Sequence, residues 1–246
     1  MDLDNERYLR QSIEFTKATR QSKPTVVGVG GIGSWVAMKL AMMGVDTLYL
    51  YDYDRVDEHN RNRSVFRTDD VGKPKVERFA EFCRELNEDV RVLPSNVKVQ
   101  SIQELPKDSD VLFSAVDNAE TRVLLEKWAS IDSSRLIIDA GTSRSTTEAT
   151  VCELKKNETP RYRTYRGGES FDERLQYEAA TPACQRRPEP AIITLTGAAA
   201  DLAVHLFTQF KQDNKVHSTL FQFLWADIPQ MNRFDYPPED WNEDPK

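Results

Sequence analysis

The sequence predicts an α/β fold, a doubly wound and mostly parallel sheet with a short C-terminal strand extension. A strand, a glycine-rich turn, a helix and a second strand follow one another over residues 25–51. Short apolar runs then alternate with helical spacing as far as Gly141. Beyond residue 190 a long apolar helix precedes an aromatic, β-branched stretch. Such alternation is the pattern of a parallel sheet covered by helices on its faces. With 246 residues the chain makes one large domain or two small ones and can bury a core without metal or disulfide staples.

Residues 4–20 carry Tyr8, Leu9, Ile13 and Phe15 among charges at rough helical spacing, which suggests a docking arm that breaks at Pro24. Residues 25–29 are β-branched and run into glycine, residues 32–44 read as a helix closing on Gly44, and 47–51 as a buried strand ending at Asp52. Residues 54–70, with Arg55, Arg61, Arg63 and Arg67, are too irregular for an element and are read as a functional loop. Over 73–87 the apolar positions Val76, Phe79, Ala80, Cys83 and Leu86 fall at helical spacing, which makes Cys83 a core residue, and 90–96 follows as a strand. Residues 110–116 form a short apolar strand, 119–131 a helix and 136–140 another buried strand. Residues 146–154 alternate as a strand containing Cys152, which is assigned to packing. A long polar stretch, 155–190, includes Gly167-Gly168 and reads as a flexible crossing loop; 191–210 is a helix, and 220–236 holds one or two late strands before an acidic end.

Composition excludes several classes. Thirty-nine per cent hydrophobic and 30% charged residues describe a water-soluble chain, and the most apolar run, 26–45, is interrupted by Lys39 and a glycine cluster, a poor spanning helix. Met1 is followed by charged residues rather than an apolar stretch, so a cytoplasmic location is expected. A net charge of −7 argues against a general nucleic-acid binder. Cys83, Cys152 and Cys184 are odd in number and form no C-x-x-C pair, and His59, His205 and His217 lack metal-ligand spacing.

Gly28-Val29-Gly30-Gly31-Ile32-Gly33 fits G-x-G-x-x-G between a strand and a helix, with Asp52 at the end of the next strand. In such units the glycines let the backbone approach a phosphate at a helix N-terminus, and an acid about 20 residues on binds a ribose hydroxyl. Taken alone, the motif fits a nicotinamide-dependent dehydrogenase as well as any other user of an adenosine group.

The surrounding motifs narrow the choice. Upstream stands Arg7-Tyr8-Leu9-Arg10-Gln11; downstream come Asp52-Tyr53-Asp54, Asn60 and Arg63 in Asn-Arg-Asn-Arg, Gly72-Lys73-Pro74-Lys75, and Asp117-Asn118 with Arg122. In this order they resemble the ThiF/MoeB/HesA family of ubiquitin-activating-like adenylyltransferases, whose motifs they match over roughly the first half of the chain. The resemblance implies a Rossmann-like fold that uses ATP and Mg2+ to adenylylate the C-terminal carboxylate of a ubiquitin-like or sulfur-carrier-like protein or a peptide. It implies nucleotide contacts from Gly28, Gly30, Gly31, Gly33, Asp52, Asn60, Arg63, Lys75 and Asn118. Arg63 and Lys75 would neutralise phosphate charge, Asp117 would hold magnesium, Asp52 the ribose, and Arg10 would reach a phosphate across a homodimer. Singly, Arg63 and Lys75 also fit a solvated basic loop, and Asp117 a cap of the helix that begins at Ala119. On this resemblance the chain divides into a docking arm (1–22), an ATP-binding adenylation core (23–154), a flexible crossover loop (155–190) and a helix-and-strand extension of the same domain (191–246).

Three departures bear on pathway. Ser64 stands where many relatives have glutamine, the two C-x-x-C zinc pairs of many relatives are absent, and the late glycine-rich helix is altered to Thr194-Leu195-Thr196-Gly197-Ala198-Ala199-Ala200. Cys184, in Thr181-Pro182-Ala183-Cys184-Gln185, lies where several relatives keep a crossing-loop cysteine, and Arg186 and Arg187 would favour its thiolate for acyl capture; an ordinary exposed loop cysteine is the alternative. Two rival functions stay open: an NAD(P)-dependent oxidoreductase and a non-catalytic scaffold that keeps the fold.

Overall fold

The computed structural model describes residues 6–132, 135–142, 146–153, 176, 179–181, 193–213, 219–224 and 230–235. Its strands are β1 (Thr25–Val27), β2 (Thr47–Tyr51), β3 (Arg91–Ser95), β4 (Val111–Ser114), β5 (Leu136–Thr142), β6 (Thr146–Glu153), β7 (Thr219–Leu224) and β8 (Gln230–Asp235). The helices are α1 (Ile13–Arg20), α2 (Gly33–Met43), α3 (Lys75–Leu86), α4 (Ala119–Ser130) and α5 (Ile193–Asp213). One eight-stranded sheet runs β3-β2-β1-β4-β5-β6-β7-β8. Its first five strands are parallel, and β6, β7 and β8 add on antiparallel; β7 and β8 are the late strands expected over 220–236.

Successive strand residues point to opposite faces, and the apolar pairs follow that alternation. Val26, Phe113 and Ile138 join Leu40, Phe79 and Phe207 of α2, α3 and α5 on one face. Val27, Leu112 and Ile137 join Leu125 and Trp128 of α4 on the other. Full burial of such side chains contributes about 1.5–3 kcal/mol each, so both faces stabilise the sheet and the chain is doubly wound. Val27 stands opposite Tyr51 of β2 and Ser114 of β4, which brings the carboxyl ends of the three central strands to one edge. There the strand order reverses, since β1 leads outward to β2 and β3 before the chain returns to β4 on its other side. Crevices at such reversals are where open α/β sheets bind ligands.

Some boundaries move for local reasons. The strand expected over 25–29 stops at Val27 because Gly28 turns the backbone to φ 89°. The helix expected from residue 73 begins at Lys75, after Pro74 as its N-cap. The loop 54–70 contains two short 3-10 turns, Glu58–Asn60 and Thr68–Asp70, closed by side-chain caps from Asn60 and Asp70. The last helix runs to Asp213, and its polar end is tied down by Lys211 pairing with Asp110. Cys83 is fully buried, as its spacing predicts, and burial pushes its thiol up to about 12. Cys152 lies in β6 opposite Ile137. The crossing loop 155–190 and the acidic end lie almost entirely outside the described residues.

The N-terminal segment divides its apolar residues. Tyr8 and Phe15 are buried against the rest of the chain, and the Asn87 amide donates to the Tyr8 hydroxyl at 2.6 Å. Leu9 and Ile13 remain exposed. Among the described residues no helix is long and apolar enough to cross a membrane.

Candidate functional site

The site begins where β1 ends. Gly28 presses so closely on the loop after β4 that a Cβ there would lie 2.7 Å from the Ala115 carbonyl oxygen, and its positive φ favours glycine in any case. A Cβ on Gly33 would lie 1.8 Å from the Gly28 carbonyl oxygen, so the first turn of α2 can fold back on β1 only with glycine there. Gly30 differs, because a Cβ added to it would meet nothing within 4 Å. Gly31 is covered by the Arg63 stem and the Thr196 methyl, at 3.3 and 3.1 Å from such a Cβ, so the start of α5 also abuts the turn.

Hydrogen bonding leaves donors at the same place. The Gly28 N–H donates to the Tyr51 carbonyl at 2.8 Å and the Val29 N–H to Asp52 Oδ2 at 2.7 Å. No hydrogen bond among the described residues uses the N–H groups of Gly30, Gly31, Ile32 or Gly33. Together with the open space over Gly30 and the positive end of the α2 dipole, these donors form a cradle of the kind that takes an anionic oxygen.

Charged side chains converge from the neighbouring strand ends. Asp52 is buried and accepts the Val29 N–H on one oxygen and the Asp54 N–H, at 2.8 Å, on the other. Burial raises its pKa, and nearby Lys75 and the two N–H donors oppose that rise without cancelling it. Lys75, the first residue of α3, is 7% exposed, and its Nζ pairs with Asp54 Oδ2 at 2.8 Å. It is therefore not part of a solvated basic loop. Arg63 is half-buried; its guanidinium donates to the His59 carbonyl at 2.6 Å, and the Trp35 indole N–H holds its own carbonyl at 3.1 Å. Asn60 is buried in the cap of its 3-10 turn, and Ser64 Oγ donates to its carbonyl at 2.7 Å. Asp117 is exposed after β4, and the N-cap of α4 is its neighbour Asn118, whose Oδ1 accepts the Thr121 N–H at 2.9 Å. Tyr53, 54% exposed, registers the convergence: partial burial raises its pKa first, and the charges of Asp54, Asp117 and Asp52 raise it further.

The fold thus gathers Gly28, Gly30, Gly31, Gly33, Asp52, Asn60, Arg63, Lys75, Asp117 and Asn118 at one sheet edge. Arg10 is exposed beside the buried Tyr8, and no described contact joins it to this group. Cys184 lies outside the described residues. No cluster of three or more His, Cys, Asp or Glu suited to a metal occurs among the described residues. Magnesium on a nucleotide asks for less, since one or two carboxylates and the phosphates suffice.

Sequence reasoning passed over one feature of the site. Arg122 on α4 forms a buried ion pair with Asp139 on β5, and its guanidinium also donates to the carbonyls of Val116 and of Ala140. A usable signal was present, for a carboxylate inside the apolar run 136–140 requires a partner.

The sequence model of the ThiF family matches residues 8–243. Over 120 residues the chain is 35% identical to ubiquitin-like modifier-activating enzyme 5 of Aedes aegypti, an alignment spanning 43% of this chain and 30% of that protein. It is 43% identical over 107 residues to the SAMP-activating enzyme E1 of Haloferax volcanii, covering 42% and 40% of the two chains. The aligned region is thus less than half the length of these relatives. Among solved structures, E. coli MccB with ATP superposes with a TM-score of 0.76 at 19% identity over 95% of this chain and 72% of its own. PaaA does so with a TM-score of 0.75 at 21% identity, over 96% and 84%.

Proposed function

The chain belongs to the ThiF family, and from that premise we propose that it is an ATP-dependent adenylyltransferase acting on the C-terminal carboxylate of a ubiquitin-like or sulfur-carrier-like protein or of a peptide. The single observation that carries this proposal is the cradle of unspent N–H groups beneath Gly30, with Asp52 on one side and Arg63, Lys75 and Asp117 around it. The names of its relatives support it: one activates ubiquitin-like modifiers, another SAMP proteins, and uba4 of Aspergillus clavatus is called an adenylyltransferase and sulfurtransferase. The similarly folded MccB has been solved with ATP and with MccA.

In the proposed reaction an acceptor carboxylate oxygen bonds to the α-phosphorus of ATP. The bond from that phosphorus to the bridging oxygen breaks, and pyrophosphate leaves with its electron pair, giving an acyl-adenylate. The glycine-turn N–H groups hold phosphate oxygens and Asp52 accepts from the ribose hydroxyls, since each of its oxygens uses only one lone pair on the backbone. Lys75 and Arg63 offset charge growing on the departing pyrophosphate, where fixed cations contribute most. Asn60 and Asn118 shape the two loops that close on the nucleotide. Asp117 would hold magnesium beside the phosphates, where the ion would supply further neutralisation. Arg10 serves the site of a second copy in a homodimer. Where a thioester follows, the Cys184 thiolate attacks the acyl carbon and AMP leaves.

ATP–pyrophosphate exchange, assayed with a panel of carrier proteins and peptides ending in free carboxylates, tests the proposal. Exchange dependent on one acceptor class is expected. Binding of a nicotinamide dinucleotide with no exchange for any acceptor overturns it in favour of an oxidoreductase.

A further inference from the structure

The carboxyl end of the sheet's α4 face, beyond Leu112 and Ile137, holds a buried ion pair. There Asp139, with its side chain 1% exposed, follows Ile137 on the same face of β5 and stands opposite Ser114 of β4. Arg122, its side chain 10% exposed, reaches it from the first turns of α4. A buried ion pair rarely adds stability, because desolvating two charges offsets their attraction, and well-packed apolar residues of similar volume often do as well. The pair therefore calls for a role other than holding the core together.

Its geometry supplies one. The guanidinium is a rigid fork with five donors, and here it ties two stretches of chain together: on β5 it reaches the Asp139 carboxylate and the neighbouring Ala140 carbonyl at 3.4 Å, and after β4 the Val116 carbonyl. Val116 directly precedes Asp117. On the other side of Asp117, Asn118 is fixed as the N-cap of α4. The backbone on both sides of the Asp117 carboxylate is thereby pinned: upstream, Arg122, whose orientation Asp139 sets, holds the Val116 carbonyl, next to the Ala115 N–H that donates to the Val27 carbonyl at 2.9 Å.

We propose that Arg122 and Asp139 are positioning residues that hold the backbone of Asp117 where its carboxylate meets magnesium on the bound nucleotide. The proposal rests on the adenylyltransferase assignment above. Arg122→Lys keeps the charge and loses the fork; Asp139→Asn keeps the volume and loses the charge that orients it.

Calorimetric ATP titrations on the intact protein, over a magnesium series and in EDTA, test it together with thermal unfolding. For Arg122→Lys and Asp139→Asn the magnesium concentration giving half-maximal enhancement of ATP affinity is expected to rise about tenfold or more, as when support of a metal ligand is removed. Affinity in EDTA should match the parent, because the glycine turn and Asp52 are untouched. The double variant Arg122→Met with Asp139→Leu separates positioning from folding: its melting temperature should stay at or above the parent value while its magnesium dependence shifts in the same direction. Equal loss of affinity with and without magnesium, or parental magnesium dependence in all three variants, overturns the positioning role. A parent protein that binds no ATP at any magnesium concentration overturns the adenylyltransferase assignment as well.

Discussion

Two glycines of one motif separate support of the fold from service to a ligand. Gly33 is demanded by the protein itself, since its missing Cβ would collide with the Gly28 carbonyl, whereas Gly30 borders open space and has no positive φ to protect. Gly33→Ala is expected to cost about 3 kcal/mol or more, the price of forcing backbone apart in a packed site. Gly30→Ala should leave stability within about 0.5 kcal/mol of the parent yet weaken ATP binding, because its methyl group enters the cradle. Thermal melts and calorimetric ATP titration of both variants check this; a Gly30→Ala protein with parental affinity would place the phosphates elsewhere. The same residue-scale logic separates Lys75 from Arg63. Both sit in motifs that look basic and exposed, but Lys75 is buried against Asp54 while the half-buried Arg63 leans its stem over Gly31 and bonds its guanidinium to the His59 carbonyl.

Between β2 and α3, order comes from local hydrogen bonds rather than from regular structure. Asp70 closes the 3-10 turn Thr68–Asp70 by accepting the Arg67 N–H at 2.8 Å, and it accepts from Arg78 Nε of α3 at 2.7 Å. Burial works against its charged form, but the Arg67 N–H and the Arg78 guanidinium outweigh burial and lower its pKa below the ordinary 3.8. A carboxylate whose pKa is depressed in the folded state contributes stability above its unfolded pKa and loses it as pH falls through the folded one. Asp70→Asn should therefore cost about 1–2 kcal/mol at neutral pH, with the difference from the parent fading below pH 3.8. Urea unfolding of both proteins at a series of pH values measures it. A pH-independent difference would show that shape, not charge, holds this loop against α3.

At the scale of the whole molecule, the N-terminal segment anchors itself and presents what is left. Tyr8 and Phe15 are consumed by the chain's own core, so Leu9, Arg10 and Ile13 are what remains to face a second copy. In a two-fold dimer each Arg10 would serve the other subunit's site. Arg10→Ala and Asp117→Ala proteins, each inactive alone, should then recover about a quarter of parental exchange when mixed, since half of the dimers become mixed and each of those holds one complete site. Equilibrium sedimentation with the exchange assay checks both parts. A fully active monomer, or no recovery on mixing dimers that exchange subunits, would confine Arg10 to its own chain.

The sequence by itself determined the doubly wound class, the order of the elements, the glycine turn with Asp52 beyond it, and the burial of Cys83. Each follows from spacing along the chain: a period of two or of 3.6 names an element, and a glycine between a strand and a helix names the turn. The family was legible for the same reason, because its motifs keep their order. Only the tertiary structure decided that Asn118 is the N-cap of α4, that Lys75 is paired with Asp54, that half of the apolar N-terminal segment is buried, and that Arg122 meets Asp139. Those outcomes depend on side chains from 3 to 79 residues apart competing for the same few donors and acceptors at a strand end or a helix terminus. Periodicity is blind to that competition, since a buried polar group takes whichever partner the packed elements bring within hydrogen-bonding distance.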